Sequence, residues 1–137
     1  MTAPTFFGIE SPFVAHCSIE GVAKGPDGVH ARLLAGAELT NSMGGAHGGA
    51  IATLVDAAMV AAARFFLHPK GQRAVGTVDL SVSYFGQARG SLDCRARVVA
   101  RRGSTLFTEA LVHDEMGEAV ARGIATLRAV ADRDGSR

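Results

Sequence analysis

Two different periods of apolar residues divide the chain. From Ala50 to Ala63 the apolar residues are nearly continuous: seven alanines, with Ile51, Leu54, Val55, Met59 and Val60 between them. A helix with no polar face is a buried helix, so this run predicts a core helix that starts near Gly48-Gly49 and reaches about Leu67. His68-Pro69-Lys70-Gly71 ends it, because proline cannot continue a helix and glycine opens the turn. Further on the period drops to two. In Thr77–Phe85, Val78, Leu80, Val82 and Tyr84 alternate with Thr77, Asp79, Ser81 and Ser83. In Leu92–Arg101, Leu92, Cys94, Ala96, Val98 and Ala100 alternate with Asp93, Arg95, Arg97, Val99 and Arg101. Thr105–His113 and Ala119–Val130 follow, joined through Asp114-Glu115-Met116-Gly117. These segments read as half-buried antiparallel strands linked by short turns.

Ahead of the helix, Ser11-Pro12 suits the cap and first position of a short helix. Gly25-Pro26-Asp27-Gly28 suits a type I turn joining strands Ser18–Ala23 and Val29–Ala35. A glycine-rich loop, Asn41 to Gly49, leads into the long helix. The polar end, Asp132–Arg137, is expected to fray. The pattern predicts an α+β fold in which a curved antiparallel sheet of five to six strands wraps one long central helix. With no repeat, linker or low-complexity segment, residues 1–137 read as a single domain.

Composition narrows the partners. The chain has 137 residues, 47% of them hydrophobic and 20% charged, which is enough for a core of its own. A formal charge of +1 gives no electrostatic reason to expect nucleic acid or an anionic membrane. The Ala50–Ala63 run is shorter than the ~20 residues a membrane span needs, and Asp56 interrupts it. The first residues, MTAPTFFGIESPF, carry no basic stretch and place Glu10 early, unlike a signal peptide. Cys17 and Cys94 form no CxxC pair and read as buried free thiols. A cytoplasmic protein is expected. His16, His30, His47, His68 and His113 are too scattered to propose a metal site.

The chemistry gathers in the stretch NSMGGAHGGAIATLVD, residues 41–56. The glycines fit neither a dinucleotide-binding fingerprint nor a phosphate-binding P-loop. A helix starting at Gly48-Gly49 has no Ser, Thr or Asp just before it, so its first N–H groups are free unless His47 caps them. Glycine lets a ligand atom approach that backbone, which suits an oxyanion or a carbonyl oxygen. A tight loop-to-helix junction explains the glycines equally well. Asp56 lies roughly 12 Å along the axis from Gly48, at ~1.5 Å per residue. Both serve one reacting atom only if a second, antiparallel copy of the helix lies alongside, as an isologous dimer provides. A bare buried carboxylate costs several kcal/mol, so Asp56 needs a partner, either functional or a nearby hydroxyl such as Thr53.

Asn41-x-x-Gly44-x-x-His47-Gly48-Gly49 followed by Thr53-Leu54-Val55-Asp56 resembles the signature of hotdog-fold acyl-CoA thioesterases of the phenylacetate-pathway (PaaI) type. Gly76-Thr77-Val78-Asp79-Leu80, Ser83-Tyr84, Arg102-Gly103 and the strand after Gly117 extend the likeness over nearly the whole chain. The resemblance implies a homodimer that completes the active site, with dimers pairing into homotetramers. It further implies that the Gly48 N–H meets the thioester carbonyl and that Asn41 helps to hold that group. Asp56, from across the interface, attacks or activates water, and Thr77 orients that Asp or the water. His47 more often shapes the loop than moves protons. No metal or separate cofactor is called for, since a positioned carboxylate suffices for a thioester. Coenzyme A belongs to the substrate, and its phosphates call for cations or N–H donors. Arg89, Arg101 and Arg102 sit at strand ends near Gly103-Ser104, where similar proteins run the nucleotide, with Tyr84 and Gln87 close by. The expected activity is hydrolysis of a small or medium acyl-CoA, with an aryl-acetyl group as the acyl part that the family likeness suggests. The alternatives are a hydratase or dehydratase of this fold, without the His-Phe-Pro loop of acyl-carrier-protein dehydratases, and a non-catalytic acyl-CoA-binding protein.

Overall fold

A computed structural model describes residues 6–34 and 36–131. The predicted strand end at Ala35 and the polar segment 132–137 lie outside the described residues. Helix α1 (Pro12–His16) has Ser11 as its N-cap, with the Ser11 hydroxyl accepting from Val14 N–H at 3.5 Å. Strands β1 (Ile19–Gly25) and β2 (Gly28–Leu33) form a hairpin with Pro26-Asp27 at its tip. The long helix α2 (Gly48–Leu67) follows, then β3 (Gln72–Tyr84), β4 (Leu92–Arg102), β5 (Thr105–His113) and β6 (Ala119–Ala131).

The six strands form one antiparallel sheet in the order β1-β2-β4-β5-β6-β3, which leaves β1 and β3 at its edges. Its inner face wraps α2: Ala31, Leu33, Leu92, Cys94, Leu106, Val112 and Leu127 close on Leu54, Val55, Ala58 and Met59. This is the hotdog architecture. The approach is close enough that Gly123, on the inner face of β6, leaves no room for a Cβ, which would collide with Val55. On the outer face Asp93 accepts from Arg32 Nε (3.0 Å) and shares a 2.6 Å hydrogen bond with His30 Nε2, clasping β4 to β2. Burial pushes the Asp93 carboxyl up, but these two partners outweigh it and hold the group below its usual value. Cys17 and Cys94 are buried free thiols, and burial raises Cys94 to about 12.

Two expectations change. At 20 residues α2 is long enough by itself to cross a bilayer, yet ten of its residues, from Ala50 to Leu67, are buried inside the protein. The helix is also not buried all round. Ala52, Thr53, Asp56, Ala57 and Val60 are half-buried, and Gly49 and Arg64 are exposed. Their spacing of three and four marks a single stripe that the sheet does not cover.

The strands depart from strict alternation at β-bulges. On β3 Thr77 pairs with Leu127 and Asp79 with Thr126, so Val78 is the extra residue, 67% exposed. Val22 on β1 and Val99 on β4 occupy equivalent extra positions and are also exposed. Each bulge reverses the facing of every residue beyond it. Thr77 therefore turns toward the helix, although the alternation groups it with the outward Asp79, Ser81 and Ser83. Arg101 likewise shares the inner face with its partner Leu106, where unbroken alternation would turn it outward.

Candidate active site

The loop before α2 is closed on itself. Asn41 N–H donates to the Gly45 carbonyl at 2.7 Å, and Thr40 bridges to Ala46. The Asn41 carboxamide is engaged within this loop: Oδ1 accepts from Met43 N–H (2.9 Å) and Gly45 N–H (3.2 Å), and Nδ2 donates to the Ala46 carbonyl (3.5 Å). Asn and Asp side chains favour such turns because they imitate a backbone hydrogen bond. At Gly44, with φ of 83°, the chain takes the left-handed conformation that glycine adopts without strain. His47 N–H donates to the Leu39 carbonyl at 2.7 Å and orients the helix start.

His47 is the N-cap of α2, and its Nδ1 accepts from Gly49 N–H at 2.8 Å. A neutral imidazole accepting at Nδ1 carries its proton on Nε2. The first turn is thus less open than an uncapped start: Gly49 is bound to the His47 ring, and Ala50 and Ile51 donate to the His47 carbonyl. The Gly48 N–H is left without an acceptor among the described residues. It sits at the positive end of a 20-residue helix, where an electron-rich oxygen is favoured.

Asp56 is half-buried on the uncovered stripe, and its Oδ1 accepts from the Thr77 hydroxyl at 2.6 Å. Thr53 is not its partner, because the Thr53 hydroxyl donates to the Gly49 carbonyl at 2.8 Å. The carboxylate is held by β3 of its own chain, and its second oxygen has no protein partner among the described residues. Within one chain Gly48 and Asp56 remain apart by two helical turns, roughly 12 Å.

The six residues suggested for the nucleotide fall into two groups. Tyr84 and Gln87 brace the glycine loop: the Tyr84 hydroxyl donates to the Gly48 carbonyl (2.7 Å) and Gln87 Nε2 to the Met43 carbonyl (2.8 Å). Arg89 belongs with them, its Nη1 lying 3.7 Å from where a Cβ on Gly44 would stand. Arg101, Arg102 and Ser104 sit at the β4–β5 turn, whose residue Thr105 pairs with Arg128, opposite Gly76 at the other end of β3. Arg89 is therefore not near Gly103-Ser104, as its place at a strand end had suggested. Arg101 donates to the Gly103 carbonyl and to Gln72 Oε1, whereas Arg102 and Ser104 are exposed. The brace from residues 84–88 escaped the sequence reading, since no local pattern reveals which carbonyl a later side chain meets. An open groove of about 730 Å³ on the outer face, lined by Lys24, His30, Arg95, Arg97, Glu109 and Arg122 among others, includes none of these candidates.

A helix start with an N–H unpaired among the described residues and a carboxylate held by a hydroxyl thus stand on a hotdog sheet. The chain belongs to the thioesterase superfamily, whose family model matches residues 43–121. A Halobacterium salinarum protein provisionally named an esterase is 48% identical over 63 residues, 46% of this chain. That alignment spans only 41% of the relative's length. Among solved structures, a conserved protein of Pseudomonas aeruginosa matches with a TM-score of 0.80 and 29% identity, over 88% of this chain and 95% of that one. A Bacillus halodurans protein crystallised with CoA matches with a TM-score of 0.77 and 28% identity, over 89% and 78% of the two chains. A thioesterase of Haemophilus influenzae shares the fold, with a TM-score of 0.81 at 19% identity over 91% and 87%.

Proposed function

We propose that the chain hydrolyses a small or medium acyl-CoA thioester to the free acid and coenzyme A, as a homodimer with two equal sites. The observation that carries this reading is the Asp56 carboxylate, held at Oδ1 by Thr77 on the uncovered side of the helix. In the proposed dimer the thioester oxygen accepts from Gly48 N–H, while Asp56 of the partner subunit takes a proton from water. The water oxygen bonds to the acyl carbon, the carbon–sulfur bond breaks, and the departing sulfur is protonated to the free thiol of coenzyme A. Asn41 and His47 act here by shaping the loop and capping the helix. The uncovered helix stripe and the unpaired edge of β3, with Val78 and Leu80 exposed beside it, favour a second copy as the missing wall. Exposed Phe107, Leu111 and Ile124 on the outer sheet face favour dimers pairing into tetramers. The CoA-bound B. halodurans relative supports coenzyme A as the carrier. Arg89 and Arg102, exposed and without an ion pair among the described residues, are the cations proposed for its phosphates.

A panel of acyl-CoAs with detection of released thiol, run beside Asp56→Asn, tests the proposal. The substitution is expected to lower turnover by about 10²-fold or more. An undiminished mutant, or no thiol from any substrate, would overturn the reading.

A further inference from the structure

The Gly48-Gly49 pair poses a physical problem. Glycine is the most permissive residue in the chain, and here two of them carry a donor that must point in one direction. Each peptide group is planar, so the Gly48 N–H takes its direction from the His47–Gly48 plane, and its place from the two planes that meet at the Gly48 Cα. The plane before it is fixed by the helix, since the His47 carbonyl accepts from Ala50 (2.9 Å) and Ile51 (3.1 Å). The plane after it is gripped at both ends. Its N–H, that of Gly49, donates to His47 Nδ1 at 2.8 Å, and its carbonyl, that of Gly48, accepts from the Tyr84 hydroxyl at 2.7 Å. The Tyr84 ring lies 3.4 Å from where a Gly48 Cβ would stand, so packing and hydrogen bond act on the same residue.

Tyr84 reaches this place because it ends β3 on the inner face, paired with Ala121. Past it, the chain holds the loop twice more, through Gln87 on the Met43 carbonyl and through the Ala88 carbonyl, which accepts from Ala46 N–H at 2.7 Å. Strand β3 therefore serves two sites in the proposed dimer. Its Thr77 end holds the carboxylate of one, and its Tyr84 end holds the helix start of the other.

We propose that Tyr84 is a positioning residue: by holding the Gly48 carbonyl it fixes the place from which the Gly48 N–H is presented, and it does not act by binding coenzyme A. The inference rests on the acyl-CoA hydrolase reading. It predicts that Tyr84→Phe, which keeps the ring and removes only the hydroxyl, lowers kcat about five- to tenfold and leaves KM within about twofold. Amide hydrogen exchange supplies a readout that needs no activity. Gly49, whose N–H lies in the same plane as the held carbonyl, is expected to exchange about tenfold faster in Tyr84→Phe, with the rest of α2 unchanged. A raised KM with normal kcat would overturn the proposal in favour of substrate contact. Normal kcat and KM with only a lowered melting temperature would overturn it in favour of packing alone. Should the wild-type protein release no thiol, the hydrolase reading fails by itself, and unchanged exchange at Gly49 would separately reject the restraint by Tyr84.

Discussion

At the scale of single residues, the proposed site depends on one backbone N–H, which side-chain substitution cannot remove. Proline can. Gly48 is the first helical residue of α2, where proline is tolerated because its N–H has no helical partner. His47 already has the extended conformation that a residue before proline requires, with φ of −63° and ψ of 138°. Gly48→Pro is therefore expected to fold, with unchanged far-ultraviolet circular dichroism, and to lower kcat by about 10²- to 10³-fold. Full activity in a folded Gly48→Pro protein would exclude the N–H from the reaction. The residue types at this site were legible in the sequence, and the glycines, His47 and Asp56 suggested a helix start and a carboxylate before any family likeness entered. The sequence left open whether His47 or nothing capped the helix. That choice depends on a ring rotation closing on Gly49, which residue identity does not settle.

At the scale of elements, the six strands were legible from period two and turn residues, although β3 begins at Gln72 and not at Thr77, but their phase was not. Thr77 is the clearest case. Alternation groups it with Asp79 and Ser81 on the outer face, whereas the bulge at Val78 turns it to Asp56. Nothing in Thr77-Val78-Asp79-Leu80 interrupts the pattern, because a bulge is a property of the ladder between two strands. On β4 a signal did exist: Val99 is an apolar residue among the outward arginines, and it is the extra residue there. The facing of Thr77 is open to measurement. Thr77→Val keeps the shape and removes the hydroxyl, so it is expected to lower kcat/KM about tenfold without loss of thermal stability. An outward Thr77 would leave the rate unchanged.

At the scale of the whole molecule, two functional halves stand on one helix with too much distance between them. If a two-fold axis beside β3 joins the Gly48 of one chain to Asp56 of the partner subunit, Asp56→Asn and Gly48→Pro should complement each other. A one-to-one mixture refolded together is expected to regain about a quarter of wild-type activity, because half of the dimers are mixed and each has one intact site. Light scattering should report the dimer or a multiple of it, and no recovery in mixed dimers would exclude the shared site. By itself the sequence determined the elements: a long apolar run is buried over most of its length, alternating strands form a half-covered sheet, and a glycine pair opening a helix lets neighbouring atoms approach the backbone. Those properties depend on neighbours within a few residues. Only the tertiary structure decided that Thr77 faces Asp56, that Tyr84 and Gln87 hold the glycine loop, and that one stripe of the helix stays uncovered. Each of these joins residues tens of positions apart, and their meeting is set by strand register, bulges and the curl of the sheet.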